Sequence, residues 1–195
     1  MHNKNFNMVL ISIILSFLLF SCVSPAKRVS NISTQKVPDY QLTAKRLVVV
    51  SSVGLIFGSE FADAFHRKLE KAVNQSGTEI WIIKVQGAES DKQMYPGIVD
   101  DFQADSLLVI EKTESTRIEY SNSTFRIRYL AKLVDLSIDK TIWRANIDFS
   151  RTNYNIPVQE RGQGLAVELV NKLKQASILD GDLLHYRGNS GFFVN

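Results

Sequence analysis

The residues that could do chemistry are few and widely spaced. Ser51 and Ser52 close an apolar run but stand outside any Gly-x-Ser-x-Gly elbow, the turn that presents a serine nucleophile. His66 has Asp63 three residues before it and Glu70 four residues after it, offsets that on a helix could hold a metal or form an acid–base pair. Arg67 and Lys68 crowd the same stretch and no second histidine lies near, so a solvated helix face accounts for His66 better. The turn Gly54-Leu-Ile-Phe-Gly58-Ser59 lies where phosphate cradles occur. It has three residues between its glycines instead of the P-loop's four, no Lys, and apolar groups where a phosphate would rest. Asp100, Asp101 and Asp105, with Glu89 and Asp91 upstream, lack the oxygen spacing and central glycine of a calcium loop. One cysteine, and histidines only at positions 2, 66 and 185, leave no local metal site, and no cofactor is expected. The remaining set is basic. Arg117, Arg126, Arg128, Lys132 and Arg144, with Glu119 and Asp148 among them, could cluster as a docking face for an anionic polymer, a phospholipid headgroup or a protein. Cross-strand ion pairing on a wet sheet is the simpler account of the same residues.

The elements that would position these groups follow from periodicity. Arg46 to Ser52 is a β-branched run suited to a strand buried on both faces, and Glu79 to Val85 is a second. Between them, Ser59 is a credible N-cap, and Phe61, Phe65, Leu69 and Val73 recur every fourth residue up to Gly77. A short helix near 98–103 precedes a third strand, 106–112, so the first half reads β-α-β-α-β, the alternation of a parallel sheet. The second half changes period. Arg117–Tyr120, 125–136 and 141–150 read as antiparallel strands, with Phe125, Ile127, Tyr129, Ala131 and Leu133 facing inward, and Trp143, Ala145, Ile147 and Phe149 likewise. Arg126, Arg128, Lys132, Arg144, Asn146 and Asp148 face the other way, leaving one wet face. A closing helix is expected over 163–177, its start loosened by Gly162 and Gly164. The expected architecture is one α/β domain over 45–179 with a mixed sheet, preceded by a polar tether over 22–44 and followed by a tail over 180–195.

Composition supports a single globular domain and little more. The chain has 195 residues, 45% hydrophobic and 22% charged. Lys and Arg number 23 against 20 Asp and Glu, and Lys4 falls in a segment expected to be removed. A balance so close to neutral supplies no field to recruit nucleic acid.

The N-terminus carries the most specific signal. His2-Asn3-Lys4-Asn5 leads into the apolar run Met8–Phe20. As a helix that run is about 20 Å long, short of the roughly 30 Å hydrocarbon core of a bilayer. It fits a secretory signal better than a membrane span. Leu19-Phe20-Ser21-Cys22 follows, and resembles the lipobox of bacterial lipoproteins. The resemblance implies cleavage before Cys22, a diacylglyceryl group on its sulfur and an acylated (palmitate-bearing) amino terminus, and hence a membrane held through a lipid anchor. Val23-Ser24 lacks an Asp at the second mature position, which resembles lipoproteins sorted to the outer membrane, facing the periplasm.

The globular part also resembles a broad group of envelope lipoproteins. Ala104-Asp105-Ser106-Leu107-Leu108-Val109-Ile110 is similar to their alanine–aspartate followed by an apolar strand, and Ala131–Leu136 through Thr141-Ile-Trp-Arg144 to their strand–turn–strand ending in Trp-Arg. The group includes CsgG, LpoB and the N-terminal domain of TolB. The resemblance implies a non-catalytic binding or assembly role with an envelope protein or anionic polymer as partner, and carries over no site residue. The competing expectation is an envelope hydrolase whose site is assembled only by folding.

Overall fold

The computed structural model describes residues 30–54, 58–85, 95–118, 124–151, 156–187 and 193–194. Six strands form one mixed sheet: β1 (Ser30–Lys36), β2 (Arg46–Ser51), β3 (Glu79–Lys84), β4 (Ser106–Ile118), β5 (Thr124–Asp135) and β6 (Lys140–Arg151). Their spatial order is β1-β6-β5-β4-β2-β3. β2 runs parallel to both β3 and β4, whereas β4–β5, β5–β6 and β6–β1 are antiparallel. The helices are α1 (Ser59–Asn74), α2 (Tyr95–Phe102) and α3 (Val158–Gln175), and a small ladder joins β7 (Tyr186–Arg187) to β8 (Phe193–Val194).

Alternation along the strands decides where the core lies. Leu47 and Val49, Leu108 and Ile110, Ile127 to Leu133, and Trp143 to Phe149 send every second side chain to one face. There they meet Phe61, Phe65, Leu69 and Val73 of α1 and Leu165, Leu169 and Leu173 of α3 in a continuous core. Phe61 stands edge-on to Phe149, ring centroids 5.2 Å apart. The two helices cross closely because Gly162 has no side chain. A Cβ there would lie 2.5 Å from the Phe61 carbonyl oxygen and 3.1 Å from the Phe65 nitrogen. Gly162 is therefore a contact residue inside α3, whose first turn begins before it, at Val158.

Val48 and Val50 point to the other face and are buried there as well. α2 covers this side of β2, with Phe102 near Trp81 and under the Arg46 guanidinium. Farther along, over β5 and β6, the same face is open and polar.

Two expectations are corrected. The stretch assigned to a tether is folded from Ser30 onward, because β1 pairs with β6 over seven residues and Ile32, Tyr40, Leu42 and Ala44 join or border the core. Cys22 and the rest of that stretch lie outside the described residues. The segments 106–112 and 117–120 are not two strands, since β4 runs unbroken to Ile118 with a bulge between Lys112 and Glu114. The tail is docked as far as it is described: Leu184 donates its N–H to Asn171 Oδ1 and accepts from Asn171 Nδ2, a two-bond clamp on α3.

Candidate functional site

Folding brings Ser51 and His66 together. Ser51 ends β2, His66 faces it from the second turn of α1, and His66 Nε2 lies 2.9 Å from Ser51 Oγ. The pair is sealed, with Ser51 1% and His66 3% exposed, which corrects the expectation of a solvated histidine. Burial, assisted by the Lys84 charge and opposed by Asp63, pushes the imidazole down to about 4 from its ordinary 6.5. A nucleophilic serine needs a base that a third group orients, and a path for substrate. Here His66 Nδ1 has no hydrogen-bond partner among the described residues. The nearest acid in sequence, Asp63, instead accepts from Lys84 Nζ at 2.9 Å, which holds its carboxyl below the usual range. Ser51 Oγ also accepts from the Val53 N–H. The pair thus ties α1 to the end of β2 and supports the entry to the Gly54 turn, as an internal polar link. Gly54 has φ +111°, and a Cβ there would strike Ala62 Cβ at 2.4 Å, so this glycine serves a tight strand–helix passage.

Asp105 lies at the opposite end of the sheet. Its Oδ2 accepts the N–H groups of Lys45 and Arg46 at 2.8 and 3.1 Å, and its Oδ1 accepts from Ser106 Oγ. It anchors the starts of β2 and β4 and does not join Ser51 or His66. Asp100 and Asp101 are exposed on α2, while Glu89 and Asp91 fall outside the described residues. Among the described residues no group of three His, Cys, Asp or Glu side chains could hold a metal ion, and no helix is long and apolar enough to cross a membrane.

Four of the five basic residues lie on one face of the sheet. Arg126, Arg128 and Lys132 of β5 and Arg144 of β6 alternate with core residues and point away from α1 and α3. Their environments divide them. Arg128 Nε donates to Asp148 at 3.0 Å and its Nη1 to Glu114 at 2.6 Å; these carboxylates, Asp148 first, raise its pKa further. Lys132 Nζ donates to Glu111 at 3.2 Å. Arg126 and Arg144 are exposed and form no ion pair among the described residues. Arg117 stands opposite Phe125 in the register, and Glu119 lies outside the described residues. The pairing partner Glu114 is a signal that sequence reading passed over, because its strand was read as ending at Lys112.

No protein-family model matches the chain, and no curated protein is significantly similar to it. Solved structures do resemble it. The PelC dodecamer from Paraburkholderia phytofirmans is 11% identical with a TM-score of 0.51, the match covering 76% of this chain and 98% of that one. The likeness is one of fold. Lipoprotein GNA1162 from Neisseria meningitidis (17% identity, TM-score 0.43, 68% and 96% covered) and a DUF330 protein from Xanthomonas campestris (15%, 0.42, 73% and 94%) also stand among the neighbours.

Proposed function

We propose that this chain is a lipid-anchored module of the bacterial outer membrane, facing the periplasm, that binds an envelope protein without catalysis. The observation that carries the reading is the division of the sheet into two unlike faces. One is filled by α1 and α3; the other, over β5 and β6, leaves the cations of Arg126 and Arg144 free of ion pairs among the described residues. Charged groups of this kind give specificity and encounter rate more than raw affinity. A tether adds the missing strength by raising the effective concentration of partners in the same membrane. PelC from Paraburkholderia phytofirmans, which this chain resembles in fold, is a dodecamer, and a binding role is compatible with that likeness. The Ser51–His66 pair favours the same side, since its groups are spent on one another inside the core.

The anchor rests on Cys22. Mass spectrometry of natively produced protein is expected to show residues 1–21 absent and acyl mass on Cys22; an unmodified cysteine with the leader retained removes the anchor from the reading. The face is tested by crosslinked capture from whole envelopes with Arg126→Glu and Arg144→Glu together. Arg128 stays intact because its two ion pairs make it part of the sheet. Loss of one specific envelope protein from the capture, with the thermal transition unchanged, supports the reading. Loss of a glycan or other anionic polymer in its place assigns the face to that class, and unchanged capture leaves these arginines as solvated surface.

A further inference from the structure

The sheet ends in two unlike edges. β1 closes one side with Ser30-Asn-Ile-Ser-Thr-Gln-Lys36, a polar strand that offers a neighbour little to bury. β3 closes the other with Glu79-Ile-Trp-Ile-Ile-Lys84, four apolar residues in succession between two charges. Trp81 is 52% exposed and stands beside Phe102, ring centroids 6.0 Å apart. Sheets usually guard such an edge with a proline, a bulge or an inward-pointing charge. β3 has no proline, and its register with β2 runs unbroken from Glu79 to Lys84. Its charges stand only at its ends, where each is already neutralised: Glu79 lies 3.3 Å from Arg46, and Lys84 2.9 Å from Asp63.

The ladder to β2 shows which backbone groups are left over. Glu79 and Val85 donate their N–H groups to the carbonyls of Lys45 and Ser51. In a parallel pair every second residue bonds to the same neighbour, so Ile80, Ile82 and Lys84 turn their N–H and C=O groups outward. No strand takes them up among the described residues. A second β3 fits them. A two-fold axis perpendicular to the sheet pairs two such strands antiparallel and keeps each face on its own side. Centred on Trp81, it sets Ile80 opposite the partner's Ile82, and Ile82 opposite the partner's Ile80, as hydrogen-bonded pairs. Trp81 then meets the partner's Trp81 in the closer, non-hydrogen-bonded pair, Cα atoms about 4.5 Å apart, where aromatic pairs stabilise a sheet. Moving the axis by one residue sets Trp81 against Glu79, or Ile80 against Lys84. The antiparallel alignment also lays the Glu79 end of one strand beside the Lys84 end of the other, charges of opposite sign.

We infer that β3 is the seat of a two-fold contact between copies of this chain, centred on Trp81, that joins two six-stranded sheets into one. On one face the contact makes an aromatic row of Phe102, Trp81 and their two mates. On the other it extends the apolar layer that Ile80 and Ile82 already border. Six residues a side is well under the roughly 20–30 of a standard stable interface, so the dimer is reversible and depends on concentration. β2 and β4 separate this edge from the Arg126 and Arg144 face, and the contact stands or falls independently of the function proposed above.

The test uses natively produced full chain in detergent, with sedimentation at rising concentration and mild oxidation of cysteine variants. The natural chain is expected to pass from monomer to dimer. Trp81→Cys is expected to be trapped as a disulfide-linked dimer, because a Cα separation of about 4.5 Å suits that bond. Ile138→Cys, in the turn between β5 and β6 and just as exposed, is expected not to be trapped. Trp81→Lys sets two cations face to face and is expected to stay monomeric with its thermal transition unchanged; should it melt early, the cysteine pair decides. A natural chain that stays monomeric, a dimer that Trp81→Cys traps no better than Ile138→Cys, or a dimer that Trp81→Lys preserves overturns the inference. Amide protection over 79–84 that arises only when a different protein is bound also overturns it, and gives the edge to that protein.

Discussion

Acidification between pH 7 and pH 4.5 tests the role of His66. The imidazole sits near 4 in the folded chain against 6.5 when exposed, lowered first by burial. A group depressed on folding contributes stability that is whole above its unfolded pKa and is lost as the pH falls toward its folded one. By that linkage the native state loses about 1 kcal/mol between pH 7 and 5.5, and about 2 kcal/mol by pH 4.5. Protonation forces a cation into a site where Ser51 is the only hydrogen-bond partner among the described residues and Lys84 stands close by. The carboxylates of Asp63 and Asp135, both held below their usual range, lose their contributions only at lower pH, through and below 3.8. The assay is urea unfolding at four pH values on the natural chain and on His66→Leu. Whatever the variant costs at pH 7, its stability is expected to be flatter over this window by the amounts given. Parallel curves for the two proteins would refute the account, because they would place the protonated imidazole in contact with water.

Three further outcomes follow from packing and hydrogen bonding. Gly162→Ala adds helix propensity of about 1 kcal/mol but drives a methyl group to 2.5 Å from a backbone oxygen, so a net loss of about 1–2 kcal/mol is expected in urea unfolding. Gly97→Ala, in α2 with open space around it, is expected to be neutral or stabilising by up to about 1 kcal/mol in the same assay. Asp105→Ala strips the acceptor from two strand-opening N–H groups and is expected to cost about 1–3 kcal/mol, read as a lowered midpoint with an unchanged slope.

The legible parts of this fold are those where one strong pattern runs uninterrupted. Phe61, Phe65, Leu69 and Val73 announced α1, and the alternation through Ile127–Leu133 and Trp143–Phe149 announced a paired β5 and β6 with one polar face. β1 was illegible because an edge strand on the polar side of a sheet needs little apolar surface. Ile32 is the one buried side chain among its described residues, and its remaining sequence is that of a linker. The second half of β4 was hidden for the same reason, as Glu111 to Ser115 are exposed, with Glu111 and Glu114 serving as ion-pair partners on the sheet. The Ser51–His66 link could not be read because it joins residues fifteen apart on different elements, and nothing local distinguishes a buried helical histidine from an exposed one. Gly162 misled in the opposite direction. Its lack of a side chain suggests a weak helix start, whereas its use depends on the neighbouring helix.

The antiparallel seating of β1 has a mechanical consequence. Tension on the chain ahead of Ser30 is directed along the axis of β1, while the bonds joining it to β6 lie across that axis. The load is therefore shared by the whole seven-residue ladder in shear, and is not delivered to one bond after another as in unzipping. At the far end, Lys36 donates to the Ala176 carbonyl and Val37 to the Ile142 carbonyl, so the strand is fastened where a pull would otherwise draw it through. A domain hung by this strand resists a steady pull along its own length far better than a sideways tug that peels β1 from the edge.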